Sequence, residues 1–209
     1  MTELHLADAE VLADLATLVS RARAADEDGA VRLSAHGTTL AAYVGVLPGR
    51  GLMAQGAVVG LRTMPLARPS DVDVTVALAA VADRLARPST GAVLALPPVT
   101  VSAAWAAMAP PRSGWERVGS VPAEEVWEAA REGIAAVAEG TPGAAGGHAV
   151  AALRERVWAE PTTTVPPFAR GGAFAAYALG FAPAGSRVEV LAHGRWTRLS
   201  AAGGHVLVR

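Results

Sequence analysis

The sequence predicts an α+β protein: a strand-rich N-terminal part with two helices, a segment of about three helices, and a C-terminal three-stranded antiparallel meander. Three observations carry this. Valine- and leucine-rich runs of period two crowd between Val31 and Val76. Apolar residues at three-to-four spacing gather between Pro122 and Leu179. The last stretch, Arg187 to Val208, is cut by glycines into three short alternating runs.

Glu3 to Leu6 alternates briefly. Asp8 precedes Val11, Leu12, Leu15, Leu18, Val19 and Ala22, so a capped amphipathic helix of about four turns is expected there. After Asp26-Glu27-Asp28-Gly29, the runs Val31 to Ala35 and Thr39 to Val46 flank His36-Gly37-Thr38 and read as a β-hairpin turning at that tripeptide. Val58 to Leu66 and Val72 to Val76 read as further strands, and Leu78, Val81, Ala82 and Leu85 as a helix that stops before Pro88. The charge-free stretch from Pro88 to Pro111 is broken by Pro97-Pro98. Its alternation around Val99-Thr100-Val101 predicts two buried strands rather than a membrane span.

The Pro/Trp loop, residues 110–121, divides the N-terminal part, 1–109, from residues 122–209, the whole forming one compact domain. Beyond it, Val126, Ala130, Ile134 and Val137 mark one face of a helix over Pro122 to Glu139. Val150, Leu153 and Val157 mark a second over His148 to Ala159, and Phe174 and Tyr177 a third over Gly172 to Leu179. Gly140 and Gly180 read as stops. The meander is Arg187 to Ala192, Trp196 to Leu199 and Gly204 to Val208.

Composition excludes whole chemistries. All 18 basic residues are arginine, and lysine, asparagine and cysteine are absent. That removes phosphate-loop and Schiff-base lysines, thiolate nucleophiles and cysteine-held metals. The same bias, with one isoleucine and one glutamine in an alanine-, glycine- and arginine-rich chain, is what a very GC-rich genome writes, so the alanine content is discounted as evidence for helix. A formal charge of -1 and a pI near 6.5 give no global attraction to nucleic acid or anionic membrane. No secretory signal is expected at Met1-Thr2-Glu3-Leu4-His5, and the absence of cysteine fits a reducing cytoplasm.

Asp71-Val72-Asp73-Val74-Thr75 has the Asp-x-Asp-x-Thr pattern of haloacid-dehalogenase-like phosphatases. Here it follows Ala67-Arg68-Pro69-Ser70 instead of a buried apolar strand, and the lysine of that chemistry is missing. Asp71, Asp73 and Thr75 are therefore read as the wet face of a strand whose valines point inward. No two of the five histidines have the spacing of a zinc-binding helix; His36 and His193 read as turn residues, and no metal or cofactor is expected. No serine sits in a Gly-x-Ser-x-Gly elbow, and Gly45, Gly49 and Gly51 lack phosphate-loop spacing. No catalytic residue is assigned.

The positive signal is tryptophan beside arginine in turn-rich settings: Arg112-x-x-Trp115-x-Arg117, and His193-Gly194-Arg195-Trp196-x-Arg198. A flat apolar ring and a planar donor fork that stacks on it are the side chains most enriched at binding hot spots. Arg112, Trp115, Arg117, His193, Arg195, Trp196 and Arg198 are thus the candidate binding residues, each tryptophan expected to keep an exposed ring edge. Trp105, Trp127 and Trp158 are assigned to the core, Trp105 on a strand.

The His-Gly turns, the Pro-Pro-Arg-Ser-Gly-Trp loop and the Gly-Arg-Trp-Thr-Arg-Leu-Ser ending resemble conserved hypothetical proteins of GC-rich actinobacteria, a family with no assigned activity. The resemblance implies a source and transfers no site. The expected function is a cytoplasmic, non-catalytic binding or assembly protein, with a protein partner or a second copy as its target. The alternative is an enzyme using dispersed His and Asp/Glu residues. A third version, a clamp-like nucleic-acid accessory factor, comes from the echo of Val31–Gly37 in Val188–Gly194, which chance also produces in so alanine- and glycine-rich a chain.

Overall fold

The structure, a computed structural model, describes residues 2–51, 54–87, 91–108, 110–141 and 146–209. It is α+β, as the sequence predicts. The chain forms two compact units, the first of residues 1–46 and 61–108, the second of residues 47–60 and 109–209. The expected stop at Pro88 and the boundary at Ala109 lie outside the described residues.

In the first unit, β1 (Glu3–His5) pairs antiparallel with β4 (Val93–Ala95). Helix α1 (Ala9–Ala25) begins where expected, Asp8 accepting the Val11 N–H at 2.9 Å, and it buries Leu15, Leu18, Val19 and Ala22. Strand β2 (Ala30–Leu47) neighbours β3 (Val58–Ala77), which leads into α2 (Leu78–Leu85).

The expected turn at His36-Gly37-Thr38 does not form, and β2 runs straight through it. Buried positions are odd before this point (Val31, Leu33, Ala35) and even after it (Leu40, Ala42, Val44), while Gly37 has φ +57°. One extra left-handed residue switches strand parity in this way, which is a bulge. A phase break in alternation looks the same in sequence whether the chain bulges or reverses. Strand β3 likewise runs through Pro65 and Pro69, where two strands were expected, because an extended φ suits proline. Val99 to Val101 is not a strand, Val99 being 70% exposed, and Trp105 is buried from a 3-10 turn, Ala104–Ala107.

The second unit holds β5 (Glu116–Pro122), β6 (Arg187–His193), β7 (Trp196–Ala201) and β8 (Gly204–Val208), adjacent in the order β8-β7-β6-β5 and antiparallel throughout. Arg209 exchanges backbone bonds with Gly56 and Ala57 at 2.7 and 3.1 Å, tying the start of β3 to β8. Residues 116–121, expected to be loop, are an edge strand; the short run Arg117-Val118-Gly119 carries a register shift that hides its alternation.

Helices α3 (Ala123–Glu139), α4 (Gly147–Ala159) and α5 (Arg170–Ala178) complete the unit. The buried face of α3 is Ala123, Val126, Ala129, Ala130 and Gly133; Ile134, expected on that face, is 40% exposed. Opposite it α5 buries Gly171, Gly172, Ala173, Ala175 and Ala176. Small residues on both sides let the backbones approach, and Trp158, stacked on Phe174 with centroids 4.6 Å apart, fills the space beside Gly133. The alanine and glycine set aside as genomic background are therefore the packing surface itself.

At Gly133 a Cβ would run into the Trp158 ring. Gly133→Ala should cost about 1–3 kcal/mol of stability by overpacking, against a helix-propensity gain of about 1 kcal/mol. Gly147→Ala, where a Cβ meets nothing, should be neutral or stabilising. Urea denaturation of the two variants beside the parent checks the contrast.

Candidate functional site: the outer face of the C-terminal sheet

Alternation gives the β5–β8 sheet two different faces. Val188, Val190, Leu199 and Val206 are buried on the face toward the helices, where Leu199 and Val208 lie against Gly172 of α5. The outer face carries three cross-strand rows. Arg117 pairs with Leu191, Leu191 with Arg198 and Arg198 with Leu207. Glu189 pairs with Ser200 and Ser200 with His205. His193 pairs with Trp196.

Trp115 enters this face from the loop before β5. Its Nε1–H donates to the Pro111 carbonyl at 3.0 Å, closing the loop on itself. Gly114, at φ +76°, lets its carbonyl meet Nδ1 of His193 at 2.7 Å, and a Cβ there would strike the imidazole. The Trp115 and His193 rings lie tilted, centroids 5.9 Å apart, and the Arg198 guanidinium stacks over the indole at 4.8 Å. The ring is half-buried and held from two sides.

Five of the seven predicted binding residues lie together here. Trp115, His193 and Arg198 are in mutual or shared contact; Arg117 pairs with Glu189 at 3.1 Å and stays 59% exposed; Arg195 is exposed at the β6–β7 turn. Arg112 is exposed in the loop before Trp115. Trp196 is different. It is only 8% exposed, with Arg209 stacked over it at 5.4 Å, so the ring edge expected to be free is covered and the residue is a packing element. An alternating strand hides this, because a buried and an exposed tryptophan have the same neighbours in sequence.

Arg198 is the electrostatic centre. Its Nε is sealed from water without a hydrogen-bond partner, and burial pulls its guanidinium below the ordinary arginine range, an effect that Glu189 opposes. His205 is pushed below its ordinary value near 6.5, first by burial and then by the charge of Arg198, while its Nδ1 lies 2.9 Å from the Ser200 hydroxyl. Glu189 carries no signal of its own in sequence, whereas His205, following Gly203-Gly204 at the start of a strand, is one of the histidines of the enzyme alternative. The register of the meander places them, and the alternation Glu189, Leu191, His193 was the available signal.

The other sequence candidates lie elsewhere. Asp71 and Asp73 are exposed on β3, Val76 is buried and Val72 and Val74 are half-buried. Asp73 is held by Arg32 through a two-pronged pair, Nε to Oδ1 at 2.7 Å and Nη2 to Oδ2 at 2.6 Å, an arrangement for structure and not for attack on phosphorus. A separate cleft of about 170 Å³ is lined by Glu125, Glu128, Ala129, Glu132, Thr163 and Thr164, without histidine. Among the described residues, no three His, Asp or Glu side chains converge to hold a metal ion, and no helix is long and apolar enough to cross a membrane.

Residues 1–107 match the family described as Domain of unknown function (DUF8010), and the chain belongs to that family. Residues 110–209 match a second model, Domain of unknown function (DUF8185), which contains the whole outer-face cluster. No curated protein matches the chain.

The lowered His205 value has a testable sign. Below its ordinary pKa the unfolded chain takes up a proton that the folded chain still refuses, so stability falls as pH drops from about 7 through the window beneath 6.5. His205→Gln should flatten that part of the stability profile, read from urea midpoints across the same pH range.

Proposed function

We propose that this chain is a non-catalytic binding or assembly protein of the cytoplasm of a GC-rich actinobacterium, working through the outer face of β5–β8. Arg112, Trp115, Arg117, His193, Arg195 and Arg198 form the contact surface, and Trp196 packs beside His193 on the same face. The partner is a protein or a second copy of the chain. The observation that carries this reading is the guanidinium of the half-buried Arg198, stacked on a partly exposed Trp115 with its buried Nε lacking a hydrogen-bond partner among the described residues. A rigid aromatic anchor beside a desolvated arginine is the composition of an interface hot spot. A purely structural tryptophan does not call for an arginine left short of acceptors.

The two tryptophans should separate. Trp196→Ala removes a core side chain and should cost about 3–5 kcal/mol. Trp115→Ala should cost much less and yet disperse the assembly. The protein isolated from its own cells should travel in sizing above the mass of one 21.2 kDa chain, and the Trp115→Ala variant at or near it. A large fall in melting temperature for Trp115→Ala with unchanged assembly would mean that Trp115 is packing and would remove the reading.

A further inference from the structure

The charge on the outer face is lopsided. Arg112, Arg117, Arg195 and Arg198 come from the loop, β5, the β6–β7 turn and β7; Glu189, in the row beside that of Arg117 and Arg198, is paired with Arg117, and Glu116 lies opposite Ala192 at the start of β5. Arg32 takes Asp73, Arg62 takes Asp14 at 2.6 Å, and Arg170 takes Glu160 at 2.8 Å, although its Nε, like those of Arg23 and Arg198, is buried without a hydrogen-bond partner. Arg198 lies against a π-face, and among the described residues its buried Nε has no hydrogen-bond partner. Stacking on Trp115 fixes its plane, and sealing of Nε rules out the side-on grip, leaving the two Nη groups to present a pair of parallel donors. That pair matches the two oxygens of a carboxylate. A row of exposed arginines around it suits a series of carboxylates, while Trp115 and the nearby Glu189 favour singly charged, partly apolar groups over a dense line of phosphates.

We propose that this face binds an acidic peptide segment, one carboxylate seated end-on against Arg198 beside the Trp115 ring and its neighbours met by Arg112, Arg117 and Arg195. The inference rests on the binding reading above and adds the chemistry of the partner. Arginine is suited to this for a physical reason: a planar fork stays charged on partial burial and can stack and donate at once, which an ammonium cannot.

The test uses the full chain and a labelled hexaglutamate peptide followed by fluorescence anisotropy, with hexalysine and a single-stranded oligonucleotide of equal charge as comparisons. Hexaglutamate should bind at low ionic strength, weaken in about 0.5 M salt, and exceed both comparisons. Arg198→Gln should weaken it about tenfold or more, and Arg198→Lys should not restore it. Arg112→Gln and Arg195→Gln, on exposed side chains that cannot disturb the fold, should each lose about two- to fivefold. These two keep the test open should Arg198→Gln melt early. Arg154→Gln, exposed on α4, should change nothing. Absence of hexaglutamate binding, binding indifferent to all three outer-face variants, or tighter binding of the oligonucleotide would overturn the proposal. If that happens while Trp115→Ala still disperses the assembly, only the acidic partner is lost; if the assembly also survives Trp115→Ala, the binding reading falls with it.

Discussion

The close seating of α3 and α5 on one face of the β5–β8 sheet decides what the other face can carry. Helix α3, whose buried face is rich in alanine and glycine, packs against α5, which buries Gly171 to Ala173, Ala175 and Ala176, and Leu199 and Val208 rise against Gly172. With Val188, Val190, Leu199, Val206 and Val208 turned inward, a strand period of two assigns the alternate set, Glu189, His193, Arg198 and His205 together with Leu191, Trp196 and Leu207, to the opposite side. A slip of one residue would carry Arg198 into the helix layer and Leu199 out of it. The same register that forms the core therefore forms the arginine-tryptophan face.

Arginine does all the cationic work in this chain, and its roles divide by environment. Where a carboxylate is close, as for Arg32 with Asp73, the planar fork makes a two-pronged pair of local, structural value. On the outer face the same side chain is stacked on Trp115, its Nε desolvated and without an acceptor among the described residues. Burying part of a cation in this way opposes folding, since lost hydration is replaced only by a ring quadrupole and by Glu189 at one remove. Its neighbour His205 bears the consequence, disfavoured as a cation by the same burial and the same charge.

Much of the fold was legible because it depends on local patterns. Asp8 capped its helix, the three-to-four spacing located α1 through α5 to within a few residues, and glycines marked the turns of the meander, Gly194 at φ +57° among them. What escaped was everything for which one local pattern serves two structures. The phase break at Gly37 reads as a turn and is a bulge. The run Glu116 to Val121 reads as loop because a register shift scrambles its alternation. Ile134 is the most apolar residue on its helix but is 40% exposed, since the buried face is filled by Val126 and otherwise by alanine and glycine.

The candidate site divides in the same way. Sequence by itself determined the residue types available, arginine without lysine or cysteine, and singled out Trp115 and Arg198 by their settings, because side-chain chemistry and turn propensity are properties of the chain. Tertiary structure alone decided that Trp115 and Arg198, far apart in sequence, stack on one another, that Trp196 is covered by Arg209, and that Glu189 and His205 belong to the face. These are consequences of strand register and burial, which arise only when distant segments pair and water is excluded between them.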